Sequence, residues 1–308
     1  QTRHYVLGKV EELGFVPDRN AQRLAKKSTR IIHFSGLDRG YSRDTDFFET
    51  DLVRALIHGF KEHGYELLPT YDPNLDEQTA AIKNKISSRA VDGVVLVEGE
   101  LTSDIPKLKS ISDLGKPVVV IVQKPVEIAS NIGCVVIDVR KPITQLFELI
   151  AEKGHKVIGF IDYGSKWDLL ETIKTAALMA SPDLQIEYYN SPGRRAEDGA
   201  DALRHLLESA NPPTAIYTRT DILAIGAYRE AQKMGLKIPQ DLSIVSHDDL
   251  PILHLAAPDV SAIHLDTDEI ARHTARLMLS LIDHAIDHPR SDIQVPLILR
   301  DSIAKRNL

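Results

Sequence analysis

The sequence predicts an α/β fold built as two doubly wound parallel-sheet subdomains with a cleft between them. Three observations carry this. After residue 30, helical and strand-like segments alternate almost without exception. The strand segments are apolar throughout, as in parallel sheets covered by helices on both faces. About a dozen strand candidates are too many for one ordinary open sheet.

Taken in order, Ile31–Phe34 is a short apolar run with β-branched residues. Phe47 to His63 sets Leu52, Val53, Leu56, Ile57 and Phe60 at helical spacing. Gly64 suits the left-handed position just past a helix end, and Tyr65–Leu68 is the next strand. The phrase then recurs. Asp113-Leu114-Gly115 precedes Pro117–Val122, Glu152-Lys153-Gly154 precedes Val157–Ile161, and Lys233-Met234-Gly235 precedes the run to Leu242–Ser246. Gly93–Val97 is a further continuous apolar strand. Right-handed crossovers wind such strands into a sheet with helices on both faces. No low-complexity linker separates the two halves, which predicts tight crossings and a hinged pair. Ligands in these folds meet the loops at the carboxyl ends of the strands. Those loops are Ser35–Phe48, Glu98–Thr102, Gln123–Glu127, Asp162–Trp167, Thr218–Asp221 and Ser246–Leu250.

A chain of 308 residues is long enough for two cores. Its 43% hydrophobic and 26% charged residues are those of an ordinary globular protein. No apolar run approaches the ~20 residues that span a membrane. The N-terminus is basic and polar and lacks the apolar stretch of a signal peptide. Cys134, the only cysteine, sits beside Val135-Val136-Ile137 and reads as a buried small hydrophobe, so cytoplasmic residence is expected. The net charge of −7 is uneven: residues 1–30 hold seven Lys/Arg against three acids, a net of +4, which leaves −11 elsewhere. An acidic body with a basic arm fits nucleic-acid contact confined to the arm, and a solvated terminus fits the same charges.

Catalytic motifs are missing. There is no Gly-x-Gly-x-x-Gly after a strand, no phosphate-binding Gly-x-x-x-x-Gly-Lys-Ser/Thr, no Gly-x-Ser-x-Gly elbow and no His-Glu-x-x-His. His284 and His288 stand four apart on a polar helix end without an evident third ligand, so no metal site is expected. No cofactor is expected either. His247-Asp248-Asp249 follows a strand and has no nucleophile motif to pair with, which favours binding over catalysis. Asp221 and Asp248 are candidate acceptors for neighbouring hydroxyls on a small molecule. Phe47, Phe48, Tyr163 and Trp167 offer faces for a sugar ring or a base. Two adjacent phenylalanines cannot both face one core.

Five fragments resemble the LacI/GalR family of transcription regulators in the right order. They are Asp92-Gly93-Val94-Val95-Leu96; Gly154-His155-Lys156-Val157-Ile158-Gly159-Phe160-Ile161; Asp221-Ile222-Leu223-Ala224-Ile225-Gly226-Ala227; Ile238-Pro239-Gln240-Asp241-Leu242-Ser243-Ile244-Val245 with Asp248-Asp249; and Leu299-Arg300-Asp301-Ser302. Residues 7–24 resemble the end of the family's DNA-binding headpiece followed by its hinge helix. The resemblance implies a periplasmic-binding-protein type I-like sensor, not an enzyme. Its partners would be operator DNA, a small-molecule effector and a second copy in a homodimer.

Aligning Pro17-Asp18-Arg19 onto the family's Pro-Asn-Arg puts the minor-groove wedge at Leu24, where such wedges kink DNA by ~20–90°. Arg19, Arg23, Lys26 and Lys27 would then meet phosphates. The helix-turn-helix that reads bases would lie before Gln1, so operator binding is expected of the full-length protein only. The implied division is 1–30 for a headpiece remnant and hinge, 31–132 with 265–291 for one subdomain, and 133–264 with 292–308 for the other. Dimer contacts are expected near Leu52 and Leu56, whose apolar face serves equally as core.

The sensor departs from the family in places. The helix after Gly159-Phe160-Ile161 has no arginine early, Thr220 replaces an asparagine with Arg219 before it, and His247 replaces an aromatic residue. Arg39, Arg43, Lys124 and Lys166 add cations around the cleft mouth, which raises an anionic metabolite beside a sugar or nucleoside as effector. A solute-binding receptor of the same fold is the alternative reading.

Overall fold

The first strand, β1 (Ile31–Leu37), is followed by α1 (Phe47–Glu62), β2 (Glu66–Asp72), α2 (Leu75–Ser87), β3 (Gly93–Val97), α3 (Glu100–Ser103), α4 (Ile105–Ser112), β4 (Val118–Val122) and β5 (Ile132–Asp138). The chain then runs through α5 (Arg140–Glu152), β6 (Val157–Tyr163), α6 (Leu169–Ala180), β7 (Gln185–Ser191), α7 (Ala196–Leu207), β8 (Ala215–Thr218), α8 (Asp221–Lys233), β9 (Ser243–Asp248) and β10 (Ser261–His264). It closes with α9 (Thr267–Ile282), β11 (Arg290–Gln294) and β12 (Leu297–Ile298). This computed structural model describes residues 28–37, 47–97, 100–124, 129–163, 169–285 and 290–306, with Tyr5, Gly8, Lys9 and Glu12 as isolated helical positions. Arg19, Arg23, Leu24 and Trp167 lie outside the described residues.

The strands form two six-stranded sheets of the same winding, ordered β2-β1-β3-β4-β5-β11 and β7-β6-β8-β9-β10-β12. Every pairing is parallel except β10 with β12. The fold class read from the sequence is therefore found. The helix-stop reading holds as well: Gly64, Gly115, Gly154 and Gly235 all have φ between 74° and 85°, the left-handed region where a Cβ is strained. Helix starts are fixed by side chains. Asn74 accepts from Glu77 N–H, Asp104 from Lys107 N–H and Asp266 from Glu269 N–H.

Alternate strand residues face opposite layers, so each apolar strand fills two cores. In the first sheet Phe34, Val95, Val119 and Ile137 pack with Leu56, Phe60 and Ile270 from α1 and α9. Val94, Leu96, Val120 and Cys134 pack on the other side with Ile82, Leu108 and Ile111. Cys134 is buried, as its neighbours predict.

Two expectations are corrected. Ile132–Asp138 pairs with β4 and β11, so the first crossing follows Asp138 instead of residue 132. The last crossing lies between Gln294 and Leu297, not near 292. After His264 the chain crosses again, since β10 belongs to the second sheet and α9 packs on α1. Leu52 and Leu56 are fully buried core, which leaves them nothing to offer a dimer partner.

One core group titrates unusually. His33 on β1 is buried, with Nε2 2.7 Å from Thr70 Oγ1. Burial, aided by the charge of Lys85, lowers its pKa to about 3. The unfolded chain therefore binds this proton first as pH falls. The neutral imidazole's contribution is whole above the ordinary histidine value and is lost on the way down to about 3. Urea denaturation across pH should show wild-type stability falling by ~1.4 kcal/mol per pH unit more steeply than His33→Gln between about pH 6 and 4. Parallel curves would contradict the burial argument.

Candidate functional site

In a doubly wound sheet the crevice for a ligand opens where the strand order reverses, outside the carboxyl ends of the strands. Here the reversals fall between β1 and β3 in one sheet and between β6 and β8 in the other. The ends of these four strands meet across a single cleft of about 150 Å³. Ser35, Gly36 and Leu37 reach it from β1, Val97 from β3, Tyr163 from β6, and Arg219 from the residue after β8. Leu101, Gln123, His247 and Asp248 also line it, from other loops singled out in the sequence.

The two walls differ in chemistry. The first half presents mostly apolar groups, among them Phe34, Phe48, Leu96 and Ile121, with Ser35, Glu49, Gln78 and Gln123 as polar exceptions. The second half presents Tyr163, Arg194, Arg219, Thr220, His247 and Asp248, each with a polar group. Arg194 arrives from the loop after β7. Its guanidinium stands 5.2 Å from the Tyr163 ring centroid, and Nη1 donates to the Tyr163 hydroxyl at 3.3 Å. An arginine thus reaches the cleft although the helix after β6 carries none near its start.

His247 is 2% exposed, and its Nδ1 lies 2.6 Å from the hydroxyl of the fully buried Tyr217. Burial, then the nearby charge of Arg219, lowers the imidazole pKa to about 3, so the ring is neutral. Burial pushes the Tyr217 phenol upward, which keeps its proton on the oxygen. Asp162 is raised by burial against the pull of Arg219, and it accepts from Tyr163 N–H. Buried polar atoms of lining residues without a hydrogen-bond partner among the described residues include Ser35 Oγ, Gln78 Oε1, Thr220 Oγ1 and His247 Nε2. The Gln78 amide nitrogen is already used, donating to Ser35 O at 3.2 Å.

The sequence candidates divide. Phe48, Tyr163, Arg219 and Asp248 line the cleft. Phe47 is 42% exposed and is not part of the lining; successive helical residues point about 100° apart, and Phe48 takes the inward direction. Asp221 is 1% exposed and stands behind the wall at the start of α8. One carboxylate oxygen accepts from the Ser246 hydroxyl and the other from Leu250 N–H at 2.6 Å, while burial pushes its pKa upward. This carboxylate fastens the β9 loop to α8 and is not part of the cleft lining. Lys124 is also absent from the lining. Arg39, Arg43 and Lys166 lie outside the described residues. Sequence reasoning missed Gln78, which sits on a helix face without local signal. It also missed Arg194, whose Ser191-Pro192-Gly193-Arg194 stretch does mark a strand-end loop.

A family model for the periplasmic binding protein-like domain matches residues 147–303. The chain belongs to the periplasmic binding protein-like family. Relatives of this periplasmic binding protein-like chain are transcription regulators. Catabolite control protein A of Priestia megaterium is 26% identical over 287 residues, covering 90% of this chain and 82% of that protein. The transcriptional repressor PurR of Haemophilus influenzae (strain PittEE) is 27% identical over 321 residues, covering 98% and 90%. A LacI family transcriptional regulator from Bifidobacterium animalis subsp. lactis superposes with a TM-score of 0.79 at 23% identity, covering 91% of this chain and all of that one. A LacI family regulator from Enterococcus faecium, solved with bound ribose, gives a TM-score of 0.73 at 21% identity, covering 90% of this chain and 100% of its own. The LacI/GalR resemblance of the five motifs and the periplasmic-binding-protein fold it implied are thus borne out. Among the described residues no helix is long and apolar enough to cross a membrane.

Proposed function

We propose that this chain is the ligand-responsive body of a DNA-binding transcriptional repressor. A small-molecule effector binds in the cleft between the two sheets and changes operator affinity. The observation that carries this is the convergence of strand-end loops from both sheets on one cleft. A ligand held by both walls binds one relative orientation of the halves better than another, and that difference is what shifts a conformational equilibrium. The three crossings, after Asp138, after His264 and between Gln294 and Leu297, are short enough to act as the hinge.

The transcriptional repressors among its relatives cover 90–98% of the chain, which supports DNA as the output. The basic segment 1–30 supplies the charge for it, with Arg19 and Arg23 for phosphates and Leu24 as the minor-groove wedge. A homodimer supplies the second hinge. Ile57 on α1 and Leu68 and Tyr71 on the edge strand β2 are exposed apolar residues available to it.

The test is a gel-shift titration of the full-length protein on its own promoter DNA with and without cleft ligands. Saturating effector should change operator affinity by ~5–150-fold, the usual range of allosteric coupling. Affinity should also fall steeply with salt. No specific operator complex at any salt concentration would overturn the proposal.

A further inference from the structure

The division of the cleft into one apolar and one polar wall narrows the ligand, provided the effector-cleft reading above holds. A sugar carries hydroxyls around its whole edge and needs partners on both sides. Here the first-half wall is mostly apolar, with Phe34, Phe48, Leu96 and Ile121 and the polar residues Ser35, Glu49, Gln78 and Gln123 among them, while every residue named on the second-half wall is polar. Two guanidiniums, Arg194 and Arg219, line the second-half wall beside Asp248, and the second lining carboxylate, Glu49, stands on the opposite wall.

The hydrogen-bond pattern at His247 is determined by its neighbour. The Tyr217 hydroxyl keeps its proton and is wholly enclosed, and the acceptor at hand is His247 Nδ1 at 2.6 Å. A neutral imidazole that accepts at Nδ1 carries its hydrogen on Nε2. Nε2 belongs to a residue that lines the cleft, is buried, and has no partner among the described residues. The buried N–H is therefore completed by an acceptor atom, and Arg219, close enough to lower the imidazole pKa, favours a negatively charged one. The Thr220 hydroxyl, also without a partner, lies on the same wall. The opposite wall takes an apolar body. A cavity of about 150 Å³ holds a molecule the size of benzene.

We propose that the Tyr217–His247 pair is a specificity subsite presenting one Nε2–H to the ligand, and that the ligand is a compact carboxylate with an apolar body, not a polyol. Tyr217 is a positioning residue that sets the tautomer, and His247 makes the contact.

Isothermal titration calorimetry with benzoate, benzyl alcohol and ribose tests this, with thermal unfolding to confirm that each variant is folded. Benzoate should bind at least about tenfold tighter than the two neutral probes, the scale of a hydrogen bond to a charged group. His247→Phe should lose about tenfold or more for benzoate. His247→Gln, which keeps an N–H at a similar reach, should recover most of the loss, a result that a packing role alone would not produce. Tyr217→Phe should give a smaller loss by releasing the tautomer. Ribose binding more tightly than benzoate, no benzoate binding at all, or unchanged benzoate affinity in a folded His247→Phe would each overturn the subsite. If ribose binds and alters operator affinity, the effector cleft stands and only the subsite falls. Failure of operator binding bears on the repressor reading and leaves the calorimetry unaffected.

Discussion

Replacing Arg300 with alanine should destabilise the folded chain by about 3–5 kcal/mol, read as a lower urea midpoint, because it strands a buried carboxylate. Arg300 Nη1 donates to Asp249 Oδ1 at 2.6 Å and Nη2 to Oδ2 at 3.0 Å, a bidentate fork. The same Nη1 reaches Val260 O at 2.7 Å. Asp249 is almost fully buried and also lies 3.1 Å from His264 Nδ1, at the second crossing between the halves. The fork holds strained backbone in place: φ is 92° at Asp248 and 65° at Asp249, and neither residue is glycine. Without the fork, the Asp248 side of the cleft should relax, so ligand affinity should fall together with stability. The double variant Asp249→Asn/Arg300→Met removes both charges and should recover much of the loss. A shift below ~1 kcal/mol for Arg300→Ala would mean that the pair behaves as a solvent-screened one.

The Arg300–Asp249 contact shows what the sequence discloses and what it withholds. Leu299-Arg300-Asp301-Ser302 and Asp248-Asp249 both stood out as fragments, but nothing in either says that they touch. The structure supplies the reason for both. Arg300 clamps the β9 loop, and the Ser302 hydroxyl ties the chain end to Ile244 O at 2.6 Å and to Ser261 N–H at 2.8 Å. Helix stops and strands were legible because Gly64, Gly115, Gly154 and Gly235 and the apolar runs act locally. Sheet membership is not local. β5 is as apolar as its neighbours, so burial pattern alone could not say on which side of the crossing it lies. The cleft loops were legible from the winding rule, yet side-chain roles within them were less so. A carboxylate at a helix start such as Asp221 has the same sequence signature whether it binds a ligand or fastens a loop. Here two acceptor bonds, to Ser246 and Leu250, fasten the loop, and the residue is not among the cleft lining.

Gly226→Ala should also cost about 3 kcal/mol or more, although an alanine inside a helix ordinarily gains ~1 kcal/mol over glycine. A Cβ at Gly226 would lie 1.9 Å from Ala196 O, and one at Gly199 would lie 2.3 Å from Leu223 O. Each glycine thus admits the backbone of the facing helix, α7 against α8. The obstructing atoms are main-chain atoms, so no side-chain rotation relieves them and the helices must separate. Separation uncovers the core shared by Leu203 and Leu206 with Leu223 and Ala227. Gly59 on α1 is the matched control: its Cβ would meet Ala271 O at 3.5 Å, an ordinary contact, so Gly59→Ala should stabilise by ~0.5–1 kcal/mol. Urea midpoints that move in opposite directions for the two variants would confirm that close approach, and not helix propensity, governs Gly226. Equal shifts would refute it. The effect should extend to the cleft, because α8 begins at Asp221, directly after the lining residues Arg219 and Thr220. A helix pushed off its neighbour displaces Arg219, so the proposed carboxylate subsite predicts weaker benzoate binding in Gly226→Ala than in Gly59→Ala.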